Sequence, residues 1–81
     1  MLSKKLNYAV DEFALEMKRR LSEKAEEGYR GWSGKSPTTE KLMLDANKDT
    51  CKILKYEKVS QHCVDVANRL MMVWWREGNG G

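Results

Sequence analysis

The sequence lacks the features of membrane-spanning and disulfide-stabilised proteins. Its longest apolar run, Leu70 to Trp75, is far shorter than the ~20 residues that cross a bilayer. The basic start, Met1 to Leu6, is not followed by an apolar stretch and does not resemble a signal peptide. Cys51 and Cys63 form no Cys-x-x-Cys pair. We expect both to be small buried thiols in a reducing compartment, and the alternative is a disulfide between the two helices. We therefore expect a cytoplasmic protein without a membrane anchor.

Strand patterns and internal repeats are also missing. No segment alternates apolar and polar residues as a half-buried strand does. The 81 residues allow one domain, 1–81, and a chain of this size buries only about 60–65% of its unfolded surface. Apolar residues make up 41% of the chain and charged residues 33%, which is a globular balance. We predict a single all-α domain, completed into a helical bundle by oligomerisation.

Charge of one sign is not concentrated anywhere. The net charge of +3 comes from 15 basic and 12 acidic side chains, which are interspersed along the chain. A solvated helix face explains this pattern, so nucleic-acid binding is the least favoured function class.

Hydrophobic periodicity predicts three helices, at about 7–25, 37–55 and 58–76. Asn7 suits the first N-cap, and Ser36 before Pro37 suits the second. The second and third helices, joined by a short turn, should form an antiparallel hairpin. The first helix carries one apolar stripe at spacings of three and four residues, formed by Val10, Phe13, Ala14, Met17 and Leu21. The apolar positions of the second helix are more scattered, which predicts burial on two sides.

A glycine-rich loop at 28–36 separates the first two helices, and a glycine tail at 77–81 should fray. The loop ends in Gly-Lys-Ser, yet a phosphate loop needs glycine where Tyr29 stands and a preceding strand. A weaker interpretation remains, in which Lys35 and the free N–H groups of the second helix hold one phosphate. The alternative is an ordinary capped loop.

Asp65 is the most informative residue of the third helix. It lies in an otherwise apolar run, with Asn68 three residues later and His62 one turn earlier on the same side. A half-buried carboxylate is unfavourable unless it is paired or bound to a metal ion. The spacing therefore leaves two alternatives open, an ion pair with Lys58 or Arg69 and a ligand site.

The run Asp65–Asn68, followed by Met71 and Met72, resembles a segment of phage-type MazG-like proteins. The similarity spans about residues 11–73, with shorter matches at Phe13-Ala14, Met17, Gly31-Trp32, Ser36-Pro37 and Leu44. The resemblance implies an all-α fold that cleaves nucleoside triphosphates to monophosphate and pyrophosphate. It also implies a dimer or tetramer in which helices of several subunits together form each active site.

The sequence lacks most of the carboxylates of the magnesium site that the resemblance implies. In that family, Glu-x-x-Glu and Glu-x-x-Asp pairs on facing helices hold Mg²⁺ through four carboxylates. Here Asp65 alone is retained, and the other three positions fall on Asn47, Thr50 and His62. Asp45 and Asp49 lie in a shifted register and are expected to face solvent. They are the weaker metal candidates, and the ligand-binding candidates are Asn47, Thr50, His62, Asn68, Lys35 and Trp32.

The third helix ends in a large apolar group. Trp74 and Trp75 project about 100° apart, so they cannot both face one small core. Together with Met71 and Met72 they are the predicted interface of a homo-oligomer.

Three functions remain open at this stage. The first is a catalytically degenerate MazG-like protein, phage-encoded, that binds a nucleotide or a host protein as a regulator or anti-defence protein. The second is an active Mg²⁺-dependent pyrophosphohydrolase. The third is a nucleic-acid-binding helical module. No cofactor is expected for the first.

Overall fold

The computed structural model describes residues 1–28 and 31–79 and consists of three α-helices. They are α1 (Lys4–Glu26), α2 (Thr39–Leu54) and α3 (Val59–Gly78). No strand occurs in these residues, which confirms the all-α prediction. Within the same ranges, no helix is long and apolar enough to span a bilayer.

The turn between α2 and α3 makes the predicted hairpin. At the end of α2, the Glu57 N–H donates to the Lys52 carbonyl at 3.0 Å and the Tyr56 N–H donates to the Ile53 carbonyl at 2.9 Å. This pair of bonds is a Schellman motif, and it places Tyr56 in the left-handed region at φ 59°. α3 then returns along α2, whose inward face buries Leu42, Ala46 and Asp49.

α1 packs against α3 and, in the described ranges, does not contact α2. Arg20 of α1 pairs with Asp65, and the Met17 carbonyl accepts a hydrogen bond from Asn68 three residues further along α3. A later residue of α1 thus meets an earlier residue of α3, so the two helices run antiparallel. Polar contacts of this kind fix the position of α1.

Arg76 attaches Gly31, Trp32 and Thr39 to the end of α3, and it is only 3% exposed. Its guanidinium donates to the carbonyls of Trp32 at 2.9 Å and Gly31 at 3.5 Å and to the Thr39 hydroxyl at 3.3 Å. The Trp32 ring lies 5.6 Å from the Trp75 ring between centroids. Gly31 has φ 84°, and a Cβ there would lie 2.8 Å from the Ser36 carbonyl oxygen, so glycine is required.

Several predicted boundaries are wrong, because hydroxyl caps lie at other positions. Ser3, not Asn7, caps α1, since its hydroxyl accepts from the Leu6 N–H at 3.1 Å. Thr38, not Ser36, caps α2 by accepting from the Lys41 N–H at 3.1 Å. The Ser36–Pro37 peptide is cis and precedes the helix. At the other end α3 continues to Gly78, so 77–78 are helical, and 80–81 lie outside the described residues.

The apolar core of a single chain is small. Among the described residues, Leu42 and Ala46 are the buried apolar ones. Within one chain α2 is covered on one side, and Met43, Leu44 and Leu54 on its other faces are exposed. The stripe of α1 is covered only towards its C-terminal half, and its N-terminal half lies open.

Candidate functional site

One cluster combines residues that can hold a metal ion. Ligand atoms of Asp49 on α2 and of His62 and Asp65 on α3 all lie within 4.8 Å of one another. Their side chains are 11%, 12% and 12% exposed. The hairpin brings these three residues together because Asp49 continues the inward stripe of Leu42 and Ala46, while His62 and Asp65 are one turn apart.

Both carboxylates of the cluster are already engaged by arginines. Arg20 Nε donates to Asp65 Oδ1 at 3.0 Å, across the α1–α3 contact. Arg69 Nη1 donates to Asp49 Oδ2, across the hairpin. The sequence suggested Lys58 or Arg69 as the ion-pair partner of Asp65. In the structure Asp65 pairs instead with Arg20 of α1. The cluster therefore joins all three helices through two ion pairs.

Two polar atoms at this position are buried without a hydrogen-bond partner in the described residues, His62 Nδ1 and Asn68 Oδ1. His62 Nδ1 lies 3.5 Å from Asp49 Oδ1, without hydrogen-bond geometry. The amide of Asn68 is used on one side only, where Nδ2 donates to the Met17 carbonyl at 3.2 Å. An unsatisfied buried acceptor costs about 1–3 kcal/mol. Asn68 Oδ1 therefore carries a cost that the single hydrogen bond of Asn68 Nδ2 offsets only in part.

The electrostatics of the cluster do not favour a divalent cation. The formal charges of the two aspartates and the two arginines that pair with them sum to zero. The positive guanidiniums repel a divalent cation and so offset part of the attraction of the carboxylates. The hydrogen bond to Asp65 raises the pKa of Arg20, so this arginine keeps its charge throughout the working range of proteins.

Mg²⁺ requires oxygen ligands in near-octahedral geometry. The cluster offers two carboxylates that already accept from arginines and one imidazole nitrogen, which Mg²⁺ does not favour. The residues present therefore do not fit the magnesium site that the MazG-like resemblance implies.

The structure corrects the predicted register of α2. Asn47 and Thr50 are exposed, and the Thr50 hydroxyl donates to the Ala46 carbonyl at 2.9 Å, so they do not join His62 and Asp65. Asp49, predicted to face solvent, is buried in the cluster instead. Asp45 lies outside the cluster and pairs with Lys41 at 3.0 Å on the same helix.

Other predicted residues lie elsewhere in the molecule. Lys35 is exposed in the loop before α2, and Trp32 is half-exposed against Trp75. Trp74 is 73% exposed and points away from this stack, as the 100° spacing predicts. Met71 and Met72 are half-buried on α3.

The sequence did not indicate Arg20 or Arg76 as site residues, and it indicated Arg69 only as a partner for Asp65. In the structure Arg20 and Arg69 neutralise the carboxylates of the cluster, and Arg76 anchors the loop. One signal was present for Arg69, which lies four residues after Asp65 and seven after His62, on the same helical face.

Comparison with family models, with curated proteins and with solved structures gives no significant match. The MazG-like resemblance thus remains a prediction from the residues that carry it.

Proposed function

We propose that this chain is a catalytically degenerate, MazG-like helical protein that acts by binding a host protein and does not hydrolyse nucleotides. The observation that carries this proposal is the pairing of both cluster carboxylates with arginines, Asp65 with Arg20 and Asp49 with Arg69. The side chains that would bind a metal ion serve instead to join three helices.

The exposed surface supports a protein partner over a nucleotide. At the end of α3, Leu70 and Trp74 are exposed one helical turn apart, and exposed tryptophan is typical of protein-binding surfaces. The weak phosphate site predicted at Lys35 loses its geometry, because α2 begins at Thr39 and not at Pro37. A phage-encoded regulator that binds a host factor remains the favoured role.

Metal titration tests the proposal. Wild-type protein titrated with Mn²⁺ or Mg²⁺ by calorimetry should show no saturable binding at millimolar ion, and a nucleotide panel should release no pyrophosphate above background. The matched variant is Arg20→Met/Arg69→Met, which leaves both carboxylates without their arginine partners and should show saturable Mn²⁺ binding under the same conditions.

Saturable binding by the wild type, together with pyrophosphate release that Asp65→Ala abolishes, would overturn the proposal. It would establish the alternative, a Mg²⁺-dependent pyrophosphohydrolase. The observation in favour of that alternative is the approach of Asp49, His62 and Asp65 to within 4.8 Å.

A further inference from the structure

A cluster of lysines lies at the α2–α3 turn. We define the basic turn surface as the exposed residues Lys48, Lys52, Lys55 and Lys58. None of the four forms an ion pair with a described residue, in contrast to Lys41 on the same helix, which pairs with Asp45. At 100° per residue, the three lysines of α2 project within about 60° of one another, along roughly 10 Å of the helix. They therefore form one positively charged edge that ends at the turn.

The burial of Asp49 makes this surface strongly positive. The segment 48–58 contains two carboxylates, Asp49 and Glu57. Asp49 is 8% exposed and pairs with Arg69 across the hairpin, so it does not neutralise the lysines at the surface. Without the four lysines and Glu57, the chain has 11 basic and 11 acidic side chains, which cancel. The net charge of +3, which looks evenly spread in the sequence, thus resides at the turn.

Two large apolar side chains accompany the lysines at the turn. Leu54 is 75% exposed and Tyr56 is 89% exposed. The negative end of the α2 dipole explains why cations are favourable here, but it does not explain exposed leucine and tyrosine. Exposed tyrosine is a common anchor of protein-binding surfaces. The turn therefore offers positive charge and apolar contact together.

Glu57 distinguishes among the anionic partners that such a surface could bind. It lines a shallow groove at the turn together with Lys52 and Lys58, and it forms no ion pair with a described residue. A nucleic-acid backbone has no cation to pair with this carboxylate, and the aliphatic side chain of Leu54 cannot stack on bases as aromatic side chains do. Anionic membranes attract clusters of four to eight basic residues, and the carboxylate of Glu57 lowers the charge of this surface below that range. A protein segment can supply carboxylates, apolar side chains and a cation at once.

We propose that the basic turn surface binds an acidic segment of a partner protein, whose carboxylates pair with the lysines and whose apolar side chains cover Leu54 and Tyr56. The inference rests on the proposed function in taking the partner to be a protein. It adds a second contact surface, at the opposite end of α3 from Trp74 and about 20 Å from it along the helix.

The first test compares lysines of the turn with lysines of α1. The probe is a synthetic peptide of repeated Glu-Glu-Leu units that ends in lysine, and binding is measured by calorimetry and by the amide shifts of the labelled protein. The shifts should concentrate in residues 48–62. Lys52→Gln/Lys55→Gln/Lys58→Gln should weaken binding about 10-fold, since three exposed ion pairs are lost.

The matched control is Lys4→Gln/Lys5→Gln/Lys18→Gln, which removes the same charge from exposed residues of α1 and should keep the wild-type affinity. Circular dichroism confirms that both variants remain helical. Equal losses in the two variants would overturn the proposal, because overall charge and not this surface would then govern binding. Absence of binding by the wild type would overturn it as well.

A second pair of measurements tests the class of partner. Leu54→Gln/Tyr56→Asn leaves the charge unchanged and should weaken peptide binding about 10-fold, because the apolar contact is lost. Asparagine tolerates the left-handed conformation of Tyr56, so the turn is retained. A single-stranded oligothymidylate and vesicles containing phosphatidylserine should bind more weakly than the peptide. Tighter binding of either one would refute a protein partner for this surface.

The outcome separates this inference from the proposed function. If the peptide does not bind and the wild type releases no pyrophosphate, the basic turn surface fails alone. Pyrophosphate release by the wild type contradicts the proposed function whatever the peptide does.

Discussion

Neighbouring arginines of α1 offer a direct measurement of what the aspartate cluster contributes to stability. Arg20 pairs with Asp65 of α3, and the two side chains are 19% and 12% exposed. Arg19 pairs with Glu16 and Glu23 of its own helix in solvent. Substituting either arginine by methionine removes one positive charge from α1. Only Arg20→Met leaves a largely buried carboxylate, that of Asp65, without its ion-pair partner.

Arg20→Met should therefore destabilise the protein, and Arg19→Met should leave its melting temperature unchanged within error. Breaking a buried pair costs about 3–5 kcal/mol and an exposed pair ~0–1 kcal/mol. The residual exposure of Arg20 and Asp65 places their pair between these limits, at about 2–3 kcal/mol. For a domain of this size, the loss corresponds to a melting temperature lower by roughly 10–20 °C.

Circular dichroism of both variants at equal protein concentration measures this difference. The pKa of Arg20 is raised by its hydrogen bond to Asp65, so the stability from this arginine is fully present below its ordinary pKa and is lost only far above neutral pH. The deficit of Arg20→Met should accordingly be the same at pH 7 and pH 9. Equal melting temperatures for the two variants would refute the structural role assigned to the cluster.

Two other substitutions test the loop anchor and the hairpin turn. Arg76→Met should lower the free energy of unfolding by about 2–3 kcal/mol in denaturant titration, because three hydrogen bonds from a charged donor are lost. Arg76→Lys should be destabilised as well, since an ammonium cannot replace the planar guanidinium. Wild-type stability of either variant would contradict the anchoring role. Tyr56→Gly should stabilise by about 0.5–1 kcal/mol, since glycine adopts the left-handed conformation without strain. Lys55→Gly, at φ −92°, should destabilise by a similar amount, and a gain in both variants would contradict the strain argument.

The helices were predictable because apolar periodicity is a local property. Val10 to Leu21 marks α1, the turn at Tyr56 separates α2 from α3, and the number and order of helices follow. The position of Asp65 within an apolar run also indicated that this carboxylate needs a partner. The partner itself, Arg20, lies 45 residues earlier in the chain, and only the antiparallel packing of α1 on α3 brings them together.

The register of α2 could not be deduced from the sequence. Aligning the MazG-like motif through Leu44 places Asn47 and Thr50 at the site, whereas the structure buries Leu42, Ala46 and Asp49. Asp49 pairs with Arg69 across the hairpin, a contact between residues 20 positions apart that the local pattern of α2 does not indicate.

The topology has a consequence for how the chain assembles. The α2–α3 hairpin closes through a short turn. Within the described residues α1 contacts α3 and not α2, through pairs such as Met17 with Asn68 that are separated by 51 residues. Closing the longer loop carries the larger entropic cost, and nearby contacts form faster than distant ones. We therefore expect the hairpin to form first, and α1 to join it last and to detach from it first. Amide hydrogens of α1 should accordingly exchange with solvent sooner than those of the hairpin.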